Sequence, residues 1–245
     1  MPKFFVSPDK VRGNRIIIDT EDVSHIKRVL RLSVGDNITV CDSCGNDYDC
    51  KIANISDKCV ECEIISSKKN NSEPNIKVTL YQALPKATKM EYIIQKTTEL
   101  GITKIVPCAL SRCVVKLDEK DSKKKISRWQ KIADEAAKQS GRGILPEISD
   151  VMSFRDAVDE MKNSDLVFVP YECAEDNTLR KVLNSKPAQN VAFMIGPEGG
   201  FSPEEATYLE DNGIPLVTLG KRILRTETAG MAVLSMVMYE IGDIN

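Results

Sequence analysis

The sequence predicts a small β domain followed by an α/β domain. Three observations predict it. Short alternating strands separated by turns fill the first seventy or so residues. A polar stretch ending in proline, Ser66-Ser67-Lys68-Lys69-Asn70-Asn71-Ser72-Glu73-Pro74, reads as a linker. After it the rhythm changes to strand, helix, strand, with short, fully apolar strands of the kind that parallel sheets bury on both faces.

The first part contains strand candidates at Arg15–Ile18, Asp36–Cys41, Tyr48–Ile55 and Lys58–Ile65. Turn residues separate them at Val34-Gly35-Asp36 and Cys44-Gly45-Asn46-Asp47. A helical stretch from Thr20, as N-cap, to about Leu30 interrupts them. Strands at this spacing suggest a small barrel.

In the second part Ile76–Ala83 is a strand. Met90, Ile93, Ile94, Thr97 and Leu100 recur at helical spacing, and Gly101 closes that helix. Ile102–Val106 follows as a strand. A long basic helix through Ile126, Trp129, Ile132, Ala133 and Ala136 ends near Gly141. Ser153 with Asp156 opens another helix. Leu166–Val169, Val191–Ile195 and Leu216–Leu219 are further strands, and a helix from about Glu227 to Ile241 ends the chain.

Composition narrows the function classes. The 245 residues are 42% hydrophobic and 29% charged, ordinary for a folded protein, with only 5% aromatic. No apolar run reaches the ~20 residues of a membrane helix. The N-terminus has no secretory apolar segment, so a cytoplasmic protein is expected. The net charge of −2 argues against a nonspecific nucleic-acid binder. Its distribution is uneven: residues 86–142 carry 14 basic and 7 acidic side chains, residues 143–245 carry 8 and 17. A positive patch facing a polyanion and lysines on solvated helix faces both remain open. His25 is the one histidine, which excludes multi-histidine metal sites and disfavours a Ser-His-Asp or Cys-His arrangement, so the expected base is a carboxylate, a lysine or the substrate's own anion.

Eight cysteines include Cys41-Asp-Ser-Cys44 and Cys59-Val-Glu-Cys62, spaced like a zinc ribbon. The second pair lies in a strand-like stretch, where side chains three apart face opposite ways, so no metal is expected.

Two strand-to-helix loops carry the chemistry. Ile195-Gly196-Pro197-Glu198-Gly199-Gly200-Phe201-Ser202-Pro203-Glu204-Glu205 runs from a buried strand through glycines into a helix capped by Ser202 and Glu205. No Gly-Lys-Ser/Thr follows, and Glu198 disfavours phosphate, so the loop suits a neutral or cationic ligand. Leu219-Gly220-Lys221-Arg222-Ile223-Leu224-Arg225-Thr226-Glu227-Thr228-Ala229 repeats the pattern, with Thr226 as cap. Together the loops predict one pocket at the carboxyl ends of strands. His25, Arg28 and Arg31, then Lys86, Lys89, Lys96, Arg112 and Arg142, form a basic set suited to a phosphate backbone.

These residues, in this order, resemble the bacterial small-subunit ribosomal RNA uridine-N3 methyltransferases of the RsmE type, in the SPOUT superfamily. The resemblance rests on five segments: His25-Ile26-Lys27-Arg28-Val29-Leu30-Arg31 with Gly35-Asp36; Gln95-Lys96-Thr97-Thr98-Glu99-Leu100-Gly101 followed by Pro107; Arg128-Trp129 with Glu135 to Arg142; Ile195 to Phe201; and Leu219-Gly220 with Ile223 to Ala229. It implies a PUA-like β-barrel over residues 1–72 that binds RNA. It implies a SPOUT α/β domain over 73–245 with a trefoil knot, a topology too rare for pattern reading to produce. It further implies S-adenosylmethionine as methyl donor, 16S ribosomal RNA in the assembled small subunit as substrate, and a homodimer packed through the knot. Ile195, Gly196, Pro197, Gly199, Gly200, Leu219, Gly220, Ile223, Leu224, Thr228 and Ala229 would hold the cofactor. Arg225, Glu227 and Glu198 would be catalytic. The rival readings are a SPOUT enzyme with another target atom and a noncatalytic RNA-binding ribosome-assembly factor.

Overall fold

A computed structural model describes residues 2–244, which divide into two compact units. The first comprises the chain through Glu73 together with Ala137–Leu145. Its strands are β1 (Lys3–Phe5), β2 (Val11–Arg12), β3 (Arg15–Ile18), β4 (Asn37–Cys41), β5 (Asn46–Ile55) and β6 (Val60–Lys69). They form one sheet in the order β1-β4-β5-β6-β3-β2, with β1 parallel to β4 and every other pairing antiparallel. Alternation puts Ile16, Ile18, Ile38, Val40, Cys50, Ile52, Val60 and Cys62 into one core with Phe4 and Ile26. Two register shifts in the β5–β6 ladder, at Asp49/Cys50 and Ile52/Asn54, mark bulges, which bend a strand.

The polar linker begins later than composition suggests. Ser67 and Lys69 of β6 pair with Tyr48 and Asn46, so Ser66–Lys69 is strand. Ladder pairing to β5 overrides the polar side chains, which this exposed end of the hairpin leaves in solvent. The helical stretch also differs. A short α1 (Asp22–Ser24) passes into a π-turn over His25–Val29, and Thr20 Oγ1 accepts from Asp22 N without being the N-cap. Arg31 follows with φ of 54°, a backbone rare for a non-glycine residue.

The second unit is Pro74–Ala136 with the chain from Pro146 onward. Its strands are β7 (Lys77–Ala83), β8 (Lys104–Ala109), β9 (Glu147–Ile148), β10 (Met152–Ser153), β11 (Leu166–Pro170), β12 (Asn190–Ile195) and β13 (Leu216–Val217). All pairings are parallel, in the order β10-β8-β7-β12-β11-β13, with β9 also on β8. The helices are α2 (Lys89–Glu99), α3 (Glu119–Gln139), α4 (Phe154–Met161), α5 (Leu179–Leu183), α6 (Pro203–Asp211) and α7 (Thr226–Glu240). Val78, Leu80, Phe168, Val191 and Phe193 fill the sheet's core, where the Phe168 and Phe193 rings stack at 5.8 Å. Ile93 and Ile94 of α2 and Val233 and Leu234 of α7 join the same core, and α2 packs on α7.

Local signals set the helix ends. Gly101, at φ of 94°, ends α2, with Ile102 N reaching back to Thr97 O. Ser153 Oγ accepts from Asp156 N at the start of α4. A boundary at 72/73 assigns Ala137–Leu145 to the second domain, but these residues pack with the first unit. Arg142 and the amides of Gly143 and Ile144 converge on Glu73, and Cys41 Sγ donates to Gly143 O at 3.1 Å. No helix among the described residues is long and apolar enough to cross a membrane.

Candidate active site

Four strands, β7, β12, β11 and β13, lie side by side, so the loops at their carboxyl ends meet. Two cavities open there. One, of about 420 Å³, is lined by Ile195, Gly196, Pro197, Glu198, Gly200 and Phe201 from the loop after β12, by Ile223, Leu224, Arg225, Thr226 and Ala229, and by Lys89, Pro170 and Glu172. The other, of about 540 Å³, is lined by Leu219, Gly220, Lys221 and Arg222 and shares Pro170, Glu172, Ile223, Leu224 and Ala229 with the first. The two glycine loops read from the sequence thus do converge. Gly199 and Thr228 line neither cavity; Gly199 O instead accepts from Arg112 Nη1 at 2.9 Å.

The first loop is tightly made. Ser202 Oγ accepts from Glu205 N, while Glu205 Oε2 accepts from Ser202 N, a complete capping box with Pro203 in the first turn. The other Glu205 oxygen accepts from Ser111 N at 2.8 Å, tying the loop after β8 to the same turn.

Thr226 does not cap α7. The N-cap position is Arg225, which makes no side-chain capping bond. Thr226 points inward instead, where its hydroxyl donates to Gly196 O at 2.7 Å and accepts from Gln82 Nε2 at 2.9 Å. Gln82, fully buried at the end of β7, therefore holds the helix start and the glycine loop in one relay. A strand glutamine in an apolar run was the available signal for this residue.

Charge is concentrated at the rim. Lys89 Nζ lies 2.9 Å from Glu198 Oε1 and 3.2 Å from Glu227 Oε2. Glu198 Oε1 also accepts from Lys86 N, beside Ala87 at φ of 54°. Burial pushes the Glu198 carboxyl up, but Lys89 and nearby backbone N–H groups outweigh it and hold the group below its ordinary range. The Lys89 ammonium is pushed up, chiefly by its hydrogen bond to Glu198. Glu227 is not among the lining residues; its Oε2 is buried, facing the Lys89 ammonium. Arg225 is exposed at the cavity wall, its guanidinium without an ion pair among the described residues.

The basic set divides. His25, Arg28 and Arg31 are exposed around the π-turn, beside Val29, which is 66% exposed. Lys86 and Arg112 are exposed as well. Three other residues are placed differently. Lys89 belongs to the cavity, and Lys96 pairs with Glu99 one helical turn away. Arg142 is only 3% exposed, and its Nε and Nη2 meet Glu73 at 3.0 and 2.8 Å, so it is a structural clamp and offers nothing to RNA.

The cysteines are scattered. Cys41, Cys50 and Cys62 are buried, and burial pushes their thiols up to about 12. Among the described residues no three His, Cys, Asp or Glu side chains are grouped to hold a metal ion.

Comparison with known proteins agrees with this arrangement. Residues 71–238 match the profile of an RNA methyltransferase domain, and residues 18–65 that of an RNA methyltransferase PUA domain. The chain belongs to the RNA methyltransferase family described by these two domains. Within that family it is 40% identical to the ribosomal RNA small subunit methyltransferase E of Bacillus subtilis over 228 residues, covering 91% of this chain and 89% of the relative. It is 34% identical to the protein of the same name from Mesomycoplasma hyopneumoniae, covering 96% and 98%. The crystal structure of the Neisseria gonorrhoeae methyltransferase E bound to S-adenosyl methionine superposes with a TM-score of 0.91 at 31% identity over the whole of both chains. The PUA-like domain and the parallel-sheet α/β domain are therefore the family's two parts.

Proposed function

We propose that this RNA methyltransferase transfers a methyl group from S-adenosylmethionine to N3 of a uridine in 16S ribosomal RNA of the assembled small subunit. The observation that carries the proposal is the pair of cavities between two glycine loops that share part of their lining, the first of them lined also by Lys89, Glu198 and Arg225. The names of the relatives and the ligand of the Neisseria structure support it.

The residues present fit this cofactor. The Gly196–Gly200 loop offers backbone groups and is followed by no Gly-Lys-Ser/Thr, in keeping with a donor that has no phosphate. Gly200 and Gly220 hold φ of 68° and 97°, conformations that keep the loop backbone close to a ligand. Bound S-adenosylmethionine supplies a methyl group activated on a sulfonium. The protein must orient uracil N3 toward it and remove the N3 proton. Glu198 faces the cavity and stays ionised, which makes it the candidate acceptor. Arg225 is placed to steady the charge that spreads onto the uracil carbonyls. Glu227 sits behind Lys89 and holds that ammonium.

RNA is gripped by His25, Arg28 and Arg31 of the first unit and by Lys86 and Arg112 of the second. The further parts of the proposal are a cytoplasmic homodimer and a trefoil knot formed by the two loops. Exposed Met236 and Tyr239 on α7 suit the cover of a second copy. The experiment is methyl transfer from labelled S-adenosylmethionine to small subunits from cells lacking the protein. Mass spectrometry should find 3-methyluridine. Another methylated nucleoside would sink the N3 assignment, and no cofactor binding would favour the assembly-factor reading.

A further inference from the structure

The wall shared by the two cavities carries a carboxylate that no cation touches: Lys221, Arg222 and Arg225 line the same cavities, but among the described residues none lies within ion-pair distance of it. Glu172 stands just beyond β11 and lines both. Among the described residues its side chain makes no ion pair and no hydrogen bond. Glu198, in the first cavity, already has Lys89. Glu172 is also held against the glycine loop: a Cβ placed on Gly200 would fall 2.5 Å from Glu172 Oε1. The carboxylate thus rests on Gly200 at the seam where a ligand spanning both cavities must pass. An unpaired anion so placed selects a cation.

We propose that Glu172 recognises the positive charge of the methyl donor. This rests on the reading of the cavities as the S-adenosylmethionine site. The donor has two cationic centres, the sulfonium and the α-ammonium. S-adenosylhomocysteine keeps the ammonium alone, and 5′-methylthioadenosine has neither.

The test is calorimetric titration of the full chain and its Glu172→Gln variant with these three compounds. Glu172→Gln should weaken S-adenosylmethionine roughly tenfold, the scale of a hydrogen bond to a charged group. It should leave methylthioadenosine unchanged. An equal loss for S-adenosylhomocysteine assigns the ammonium, and a loss confined to S-adenosylmethionine assigns the sulfonium. Either result supports the proposal, as does partial recovery in Glu172→Asp. Unchanged affinity for S-adenosylmethionine overturns it. An equal loss for methylthioadenosine also overturns it, because packing rather than charge would then be at work. A wild-type chain that binds none of the three overturns the reading of the cavities themselves, which separates that failure from this one.

Discussion

Glu73 and Arg142, far apart in sequence, form a largely buried two-point ion pair, with Arg142 Nη2 to Glu73 Oε2 at 2.8 Å and Nε to Oε1 at 3.0 Å. The amides of Gly143 and Ile144 donate to Glu73 Oε1 as well. Removing the guanidinium strands a carboxylate inside the first unit. Arg142→Ala should cost about 3–5 kcal/mol in urea titration, as for other broken buried pairs. Burial pushes the Glu73 carboxyl up, but Arg142 and the two amides hold it below its ordinary value. A lowered folded value means that the pair stabilises fully above the unfolded value, near pH 4.5, and that the contribution is lost as pH falls through the folded value. In Arg142→Ala the loss should begin at higher pH. Coincident acid-unfolding curves would contradict this.

The two candidate bases should separate kinetically. Glu198→Gln should lower kcat by ~10²–10⁴, the usual range for a general base, with cofactor affinity nearly unchanged. Glu227→Gln should lower kcat less, because that carboxylate acts on Lys89. Single-turnover transfer with both variants checks the order, and the reverse order would exchange their roles.

Thr226→Val keeps the shape of the side chain but breaks both bonds of the Gln82–Thr226–Gly196 relay. Buried Gln82 Nε2 then keeps only the carbonyl of Ala83 as acceptor. The expected cost is about 1–3 kcal/mol. Because Gly196 lines the first cavity, KM for S-adenosylmethionine should rise as well. A stability loss without a KM change would confine the relay to folding.

Gly200→Ala meets two obstacles. The Glu172 carboxylate must swing away, which a flexible side chain does cheaply, but a φ of 68° still strains an alanine by about 1 kcal/mol. A slight fall in melting temperature should therefore accompany a large loss of cofactor binding. Calorimetry alongside thermal melting distinguishes the two effects.

Arg28→Glu and Arg31→Glu should weaken RNA binding. Each should also flatten its salt dependence by roughly one unit of slope for every phosphate that the variant no longer neutralises. Filter binding across a salt series measures this. Arg142→Lys should leave the slope unchanged.

Much of this was legible in the sequence where the signal is local. Ser202, Pro203 and Glu205 announce their turn in eleven residues, and Gly101 announces the end of α2. The glycine loops predicted a pocket, and neighbouring strands deliver it. What escaped reading depends on distant partners. Thr226 resembles an N-cap until Gln82, on the distant strand β7, donates to its hydroxyl. Arg142 resembles an RNA contact until Glu73 buries it. Lys89 belonged to a basic run by composition, yet a carboxylate from the loop after β12, Glu198, and one from the first turn of α7, Glu227, hold it at the cavity. Glu172 lies in no recognisable pattern and gains meaning only from the sheet order that sets β11 beside β12.

The residues that complete the first unit arrive late during synthesis. Ala137–Leu145 leave the ribosome only after most of β7, α2, β8 and α3 have done so. At roughly 5–20 residues per second, several seconds pass between Glu73 and its partner Arg142. During that interval the nascent β domain must wait with its Glu73 carboxylate unmatched and the Cys41 edge uncovered. Its final closure is therefore tied to the emergence of the long helix, and a chain interrupted before residue 145 would release an unfinished domain, not an early-folded module.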